Sequence, residues 1–234
     1  MYLKSILKTA ALATVLLSSS YVSAGLLTLE SYHSGVSTPD VIGGFTMTDF
    51  NLSNDVLSGS TSSVNSPISG AIEFERRNGA SLGMTRRTAD TTNWWQNGEN
   101  TDYDIFTTGV NLIRIILPEN TRAFSFNVGA DLSSSRNNAW LEAEGYSQTN
   151  GDPGSLQREN FNVNRNNTPG FGLYADNSNG SCGVISSVVV DPEFWGIGNF
   201  SINQSECVAD VPEPGSLGLL GLGLFCLVAM RRKV

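Results

Sequence analysis

Between residues 25 and 211, short runs of alternating apolar and polar positions recur, separated by clusters of Gly, Asn, Ser and Pro. A period of two over four to eight residues marks a strand with one buried face, and no long stretch repeats at the helical period of 3.6. Ile72 and Phe74 alternate with Glu73 and Glu75, and Phe124, Phe126 and Val128 with Ser125 and Asn127. Val184, Ser186, Val188 and Val190 fall on one face of a strand, and Phe200 with Ile202 points to the core from another. Residues 110–117 are nearly continuous in apolar character, interrupted by Asn111 and Arg114 and ended by Pro118, which predicts a strand buried on both faces. Many short strands with turn signals between them predict an all-β fold: a single antiparallel β-sandwich, jelly-roll-like, over residues 25–207. The polar stretches 58–69 and 147–169 read as loops, the second long enough to shape a binding face.

Both ends of the chain carry a different pattern. Lys4 and Lys8 precede an apolar centre at 9–17, and Val22-Ser23-Ala24 supplies small residues, so 1–24 reads as a secretory signal peptide cut between Ala24 and Gly25. The rival, an uncleaved membrane helix, is disfavoured by the short apolar centre and by Ser18-Ser19-Ser20. At the other end, a linker at 208–214 holds Pro212, Glu213 and Pro214, followed by an uncharged run at 215–230 and a basic tail at 231–234. Sixteen residues at about 1.5 Å each reach roughly 24 Å, against about 30 Å of hydrocarbon, so a transmembrane helix there spans only marginally. Arg231, Arg232 and Lys233 act as a cytoplasmic stop and leave everything before Gly215 outside. The two prolines keep the preceding segment extended and present Glu213 at the membrane surface.

Val211-Pro212-Glu213-Pro214, the apolar run and the terminal cations, in that order, resemble the PEP-CTERM sorting signal of bacterial exosortase substrates. The resemblance covers residues 211–234. It implies a Gram-negative bacterium that makes exopolysaccharide and biofilm matrix, export through the Sec machinery, and an intermediate anchored in the inner membrane. It further implies that a cysteine-dependent exosortase cuts near Pro212-Glu213-Pro214 and passes the protein to the cell surface or extracellular matrix. A tail anchor that is never cut is the alternative. Residues 195–202, with 123–128, loosely resemble strands of β-sandwich domains in other exosortase-dependent surface proteins.

Charge removes one class of partner. Residues 25–211 hold nine cations, all Arg, against 21 acids, so nucleic acid is not an expected partner. Cysteine and histidine remove others. Cys226 lies in the apolar tail, leaving Cys182 and Cys207 as an even pair in an exported domain, which predicts a disulfide worth roughly 3–4 kcal/mol on the loop-entropy model. His33 is the only histidine, which leaves little room for Ser-His-Asp, Cys–His or imidazole–zinc sites, and no phosphate loop ending in Lys-Ser or Lys-Thr is present.

Two stretches remain as candidates for function. Around Trp140, period-two geometry sends Trp140, Glu142, Glu144 and Tyr146 to one face and Leu141, Ala143 and Gly145 to the other. Aromatics flanking carboxylates resemble a glycan platform, where rings stack on sugar C–H faces and acids accept hydroxyl hydrogen bonds. The plain alternative is a solvated polar face with Trp140 covered. A glycosidase pair from Glu142 and Glu144 is disfavoured because such pairs flank the bond from different elements. Asn100, Asp102 and Asp104 alternate like the start of a calcium loop, but Ile105 replaces the EF-hand Gly and Asn111 its bidentate Glu. A looser calcium site, with Asp131 and Asp152 as further ligands, stays open beside a merely solvated turn. The expected function is therefore non-enzymatic, a glycan-binding or structural domain of the exopolysaccharide matrix that requires no cofactor. The alternative is a calcium-assisted carbohydrate-active enzyme.

Overall fold

Among the described residues, period-two patterning becomes sixteen strands and no helix. The structure is a computed structural model that describes residues 27–206, apart from 33–37, 53–58, 89–94, 96–103, 111, 131–135, 149–150, 152, 164–166, 176–181 and 192–194. The expected signal peptide, Pro-Glu-Pro linker and transmembrane helix lie outside the described residues.

One sheet runs, in spatial order, β1 (Leu27–Tyr32), β14 (Gly170–Ala175), β11 (Ala123–Ala130), β16 (Trp195–Asn203), β9 (Ile105–Thr108), β8 (Met84–Arg87) and β5 (Ser60–Thr61), with β4 (Thr48–Asp49) also paired to β16. The other runs β13 (Pro153–Val163), β12 (Arg136–Ser147), β15 (Gly183–Asp191), β10 (Ile113–Ile116), β7 (Ala71–Glu75) and β6 (Ser63–Asn65). A hairpin, β2 (Val41–Ile42) with β3 (Phe45–Thr46), stands apart, and all the strand pairs are antiparallel. Both sheets contribute to one apolar core. At its centre Phe200 meets Phe74 of the opposite sheet and Phe106 and Phe124 of its own, with ring centroids 6.3, 5.5 and 5.7 Å away.

The two sheets differ in their outer faces. All eight residues of β11 are buried, so Ser125 and Asn127 are covered as fully as the phenylalanines between them. Ser125 and Ser201 hydroxyls meet at 2.6 Å, and the Asn127 amide donates to the Thr168 carbonyl at 3.2 Å, which satisfies the buried polar groups. Part of the cover comes from the β2–β3 hairpin. A Cβ on Gly172 would lie 2.8 Å from Ile42, and one on Gly43, at φ +56°, would enter the Tyr174 ring. Only glycine lets these two layers close to that distance. The six-stranded sheet keeps an exposed outer face, and this asymmetry decides where a ligand has room.

Several expectations change. Residues 153–163, read as loop, form the edge strand β13, because Pro153 and the polar side chains suit an edge that one neighbour alone covers. Residues 60–61 and 63–65 of the other supposed loop pair as β5 and β6. The strand expected over 110–117 is the shorter β10, with Ile113 and Ile115 buried and Arg114 and Ile116 half-buried, so one face only is fully covered. A register shift opposite Glu144 and Gly145 breaks the phase of β15: Ile185, Val188 and Val190 join the core, and Ser186 instead donates to the Glu144 carbonyl at 3.0 Å. Another shift, between Ser125 and Asn127, coincides with Asn199 at φ +53°, a conformation Asn tolerates better than most residues.

Candidate functional site

Strand β12 displays the expected alternation. Leu141 and Ala143 enter the core, and Gly145 sits so close to β15 that a Cβ would lie 2.1 Å from the Val184 carbonyl oxygen. Glu142, Glu144 and Tyr146 face outward, and Tyr146 is 40% exposed. Trp140 departs from the platform expectation, being only 7% exposed. The cover is a side chain of the neighbouring strand: the Arg158 guanidinium lies 3.5 Å from the Trp140 ring centroid. Arg158 can reach it because the β12–β13 register shifts between Leu141 and Ala143, placing one extra β13 residue at this level, so that two β13 positions, 157 and 158, stand opposite Glu142. The guanidinium also stands 3.9 Å from Glu142. The exposed surface at this position is therefore a cation stacked on an indole.

Further residues complete the face. Across β15, Val189 lies opposite Glu142 and Ser187 opposite Glu144. Across β10, Arg114 lies opposite Val189 and Ile116 opposite Ser187. Glu75 and Glu73 of β7 follow in the same two rows. Arg114 ties the rows together, with Nη2 3.1 Å from Glu144 Oε2 and 3.4 Å from Ser187 Oγ. The arrangement is a half-buried centre of Val189, Arg114 and Ile116 flanked on both sides by pairs of carboxylates. At about 4.8 Å per strand, the β12 and β7 carboxylates stand roughly 14 Å apart by backbone position. Glycosidase carboxyls work at about 5–9.5 Å, so the two pairs do not form such a dyad.

Sequence reading identified the β12 face but not Arg114, Arg158 or the partnership with Glu73 and Glu75. The one available signal was the common outward phase of Glu73, Glu75, Arg114 and the β12 acids, which alternation gives strand by strand and only sheet order assembles.

Of the calcium candidates, Asp104 alone falls among the described residues. Asn100, Asp102, Asp131 and Asp152 lie outside the described residues. Asp104 is buried, and its charge acts on the buried Arg86 guanidinium, which burial pushes below its usual range and Asp104 pulls back up. Among the described residues, no three His, Cys, Asp or Glu side chains gather as a metal would require. Trp95 is buried with Ile105 in a small separate cluster, and Trp94 lies outside the described residues.

Cys182 is buried beside Arg122, whose Nη1 is 3.4 Å from Sγ, and Cys207 lies outside the described residues. Cys182 precedes β15 and Cys207 follows β16 in the chain. The strands they flank, β15 and β16, belong to different sheets, so a Cys182–Cys207 bridge would link sheet to sheet.

Residues 210–233 match the family model for the PEP-CTERM protein-sorting motif. This chain carries a PEP-CTERM sorting signal. The match includes Pro212, Glu213, Pro214 and the cations Arg231, Arg232 and Lys233, and it implies an exported protein that is membrane-anchored and then processed. No curated protein matches this chain. Among solved structures, a family 11 carbohydrate-binding module from Clostridium thermocellum, in complex with a β-1,3-1,4-mixed-linked tetrasaccharide, aligns at 14% identity. That alignment covers 68% of this chain and 96% of the module, with a TM-score of 0.17. Among the described residues, no helix is long and apolar enough to cross a membrane.

Proposed function

We propose that the protein is exported, held at the inner membrane by its apolar tail, released by an exosortase, and delivered to the cell surface or exopolysaccharide matrix. The observation that carries this reading is the sorting-motif match over residues 210–233. In the matrix, the β-domain acts without catalysis, as a glycan-binding or structural component. The outer face of the six-stranded sheet supports the glycan role. Tyr146 offers an exposed ring, Val189 and Ile116 a modest apolar floor, and the Glu and Arg side chains around them a dense set of hydroxyl partners. Four carboxylates on this face favour a neutral polysaccharide over an acidic one, because a uronate would meet like charge. A Cys182–Cys207 bridge between the sheets fits the oxidising compartment this route implies.

Two measurements test the proposal. Mass spectrometry of the surface-released protein should find a C-terminus near Pro212-Glu213-Pro214, and an intact end at Val234 would refute sorting. A glycan array of the released protein beside a Tyr146→Ala, Glu142→Ala double variant should show binding to neutral glycans that the variant loses. Binding by neither protein would leave the structural role.

A further inference from the structure

The first and last strands place both chain exits at one end of the sandwich. Leu27 begins β1 opposite Ala175, the Ala175 amide donates to the Arg122 carbonyl at 2.9 Å, and the Arg122 amide donates to the Asn203 carbonyl at 2.8 Å. Leu27 and Asn203 are therefore three strand spacings apart on the same edge, about 14 Å. Gln204 fixes the exit. Its amide oxygen accepts from the Ser66 hydroxyl at 2.6 Å, and its amide nitrogen donates to the Glu119 carbonyl at 2.9 Å.

Every large apolar side chain exposed among the described residues belongs to this same end. These are Val41 at 53%, Ile68 at 48% and Tyr146 at 40%. Ile68 lies in the turn that Gln204 grips through Ser66 and Ser69. Val41 pairs with Thr46, whose carbonyl accepts from the Asn203 side chain at 2.8 Å. Tyr146 stands two residues before Gln148, whose backbone amide donates to the Cys182 carbonyl and whose side chain bonds Asn120. The opposite end, around the Arg76–Ala80 turn that contains Asn78, has no such side chain among the described residues.

We infer that this end is a base that faces the lipid bilayer while the chain is tethered, with Ile68, Val41 and Tyr146 as its apolar contacts. The inference rests on the reading of the tail as a membrane anchor. Ten residues, 205–214, separate Gln204 from the apolar run and reach at most about 35 Å. A chain hung from the membrane at this edge keeps the base within reach of the surface, where isolated Tyr and aliphatic side chains enter the interface favourably. Apart from Tyr146 at its membrane-proximal margin, the glycan face lies on the flank of the sandwich and stays open in that orientation, and Tyr146 becomes accessible to glycan when the chain is released from the anchor.

The test uses the full chain reconstituted in vesicles of phosphatidylethanolamine and phosphatidylglycerol, with a photoreactive benzophenone residue replacing Ile68, Tyr146 or Asn78. All three positions are exposed, and a thermal melt checks that each variant folds. Lipid adducts from positions 68 and 146, several-fold above position 78, are expected. Equal yields from both ends, or chain-to-chain adducts at position 68 in place of lipid, overturn the inference, the latter making this end a self-association face. Alkaline extraction of the same vesicles separates the two ways to fail. A chain that washes off refutes the anchor and the inference with it, whereas an anchored chain without lipid adducts at position 68 refutes the base alone.

Discussion

Gln204 is the last buried side chain among the described residues before the sorting tail, and replacing it tests whether its hydrogen bonds hold this end. Its amide oxygen accepts from Ser66 Oγ at 2.6 Å and the Ser69 amide at 3.3 Å. Its amide nitrogen donates to the carbonyls of Glu119 at 2.9 Å and Ser69 at 3.1 Å, with Ser69 Oγ also at 3.2 Å. Two N–H groups shared among three acceptors, plus two accepted bonds, amount to four effective hydrogen bonds. At a net 0.5–1.5 kcal/mol each, and with water able to recover some of them at the half-exposed turn, Gln204→Met should cost about 2–4 kcal/mol. Methionine preserves volume, so the loss reports the hydrogen bonds and not a cavity. Urea unfolding of the released protein at 25 °C reads it as a lower midpoint at unchanged slope, and a thermal melt as a fall on the order of 10 °C. Hydrogen exchange at the Ser69 amide should accelerate in the same variant. A loss below about 0.5 kcal/mol with unchanged Ser69 exchange would refute the claim that Gln204 clamps this end.

Three further outcomes follow from particular contacts. Gly145→Ala forces a Cβ against the Val184 carbonyl 2.1 Å away, so β12 must shift off β15; a loss of about 1–3 kcal/mol in chemical denaturation is expected, and a neutral substitution would refute the close approach. Arg158→Ala uncovers the Trp140 ring, with a red shift in tryptophan emission and a stability loss of about 1 kcal/mol expected; unchanged emission would mean that Arg158 does not shield it. Asp49 titrates above its ordinary 3.8 because of burial first and the Asp40 charge second. The native state therefore disfavours ionised Asp49, and this group's stability contribution is lost as pH rises from 3.8 through the raised folded value. Asp49→Asn should raise the melting temperature at pH 7 and make no difference well below pH 3.8, and a gain that persists in acid would contradict the electrostatic cause.

The sequence by itself determined what depends on local pattern. Period-two alternation set the all-β class and the outward phase of Glu142, Glu144 and Tyr146, because a strand turns successive side chains to opposite faces whatever its neighbours are. The sorting tail was equally legible, since Pro212-Glu213-Pro214, the uncharged run and the three cations are contiguous. Tertiary structure decided everything that depends on which strands lie together. Trp140 looked available, but the register shift against β13 brings Arg158 over its ring. Residues 153–163 looked like loop because an edge strand needs little apolar patterning when only β12 pairs with it. Ser125 and Asn127 looked solvated, yet their face is covered, and only chain segments distant in sequence supply that cover. Glu73 and Glu75 joined the β12 acids only when sheet order set β7, β10, β15 and β12 side by side, a long-range arrangement that no local period encodes.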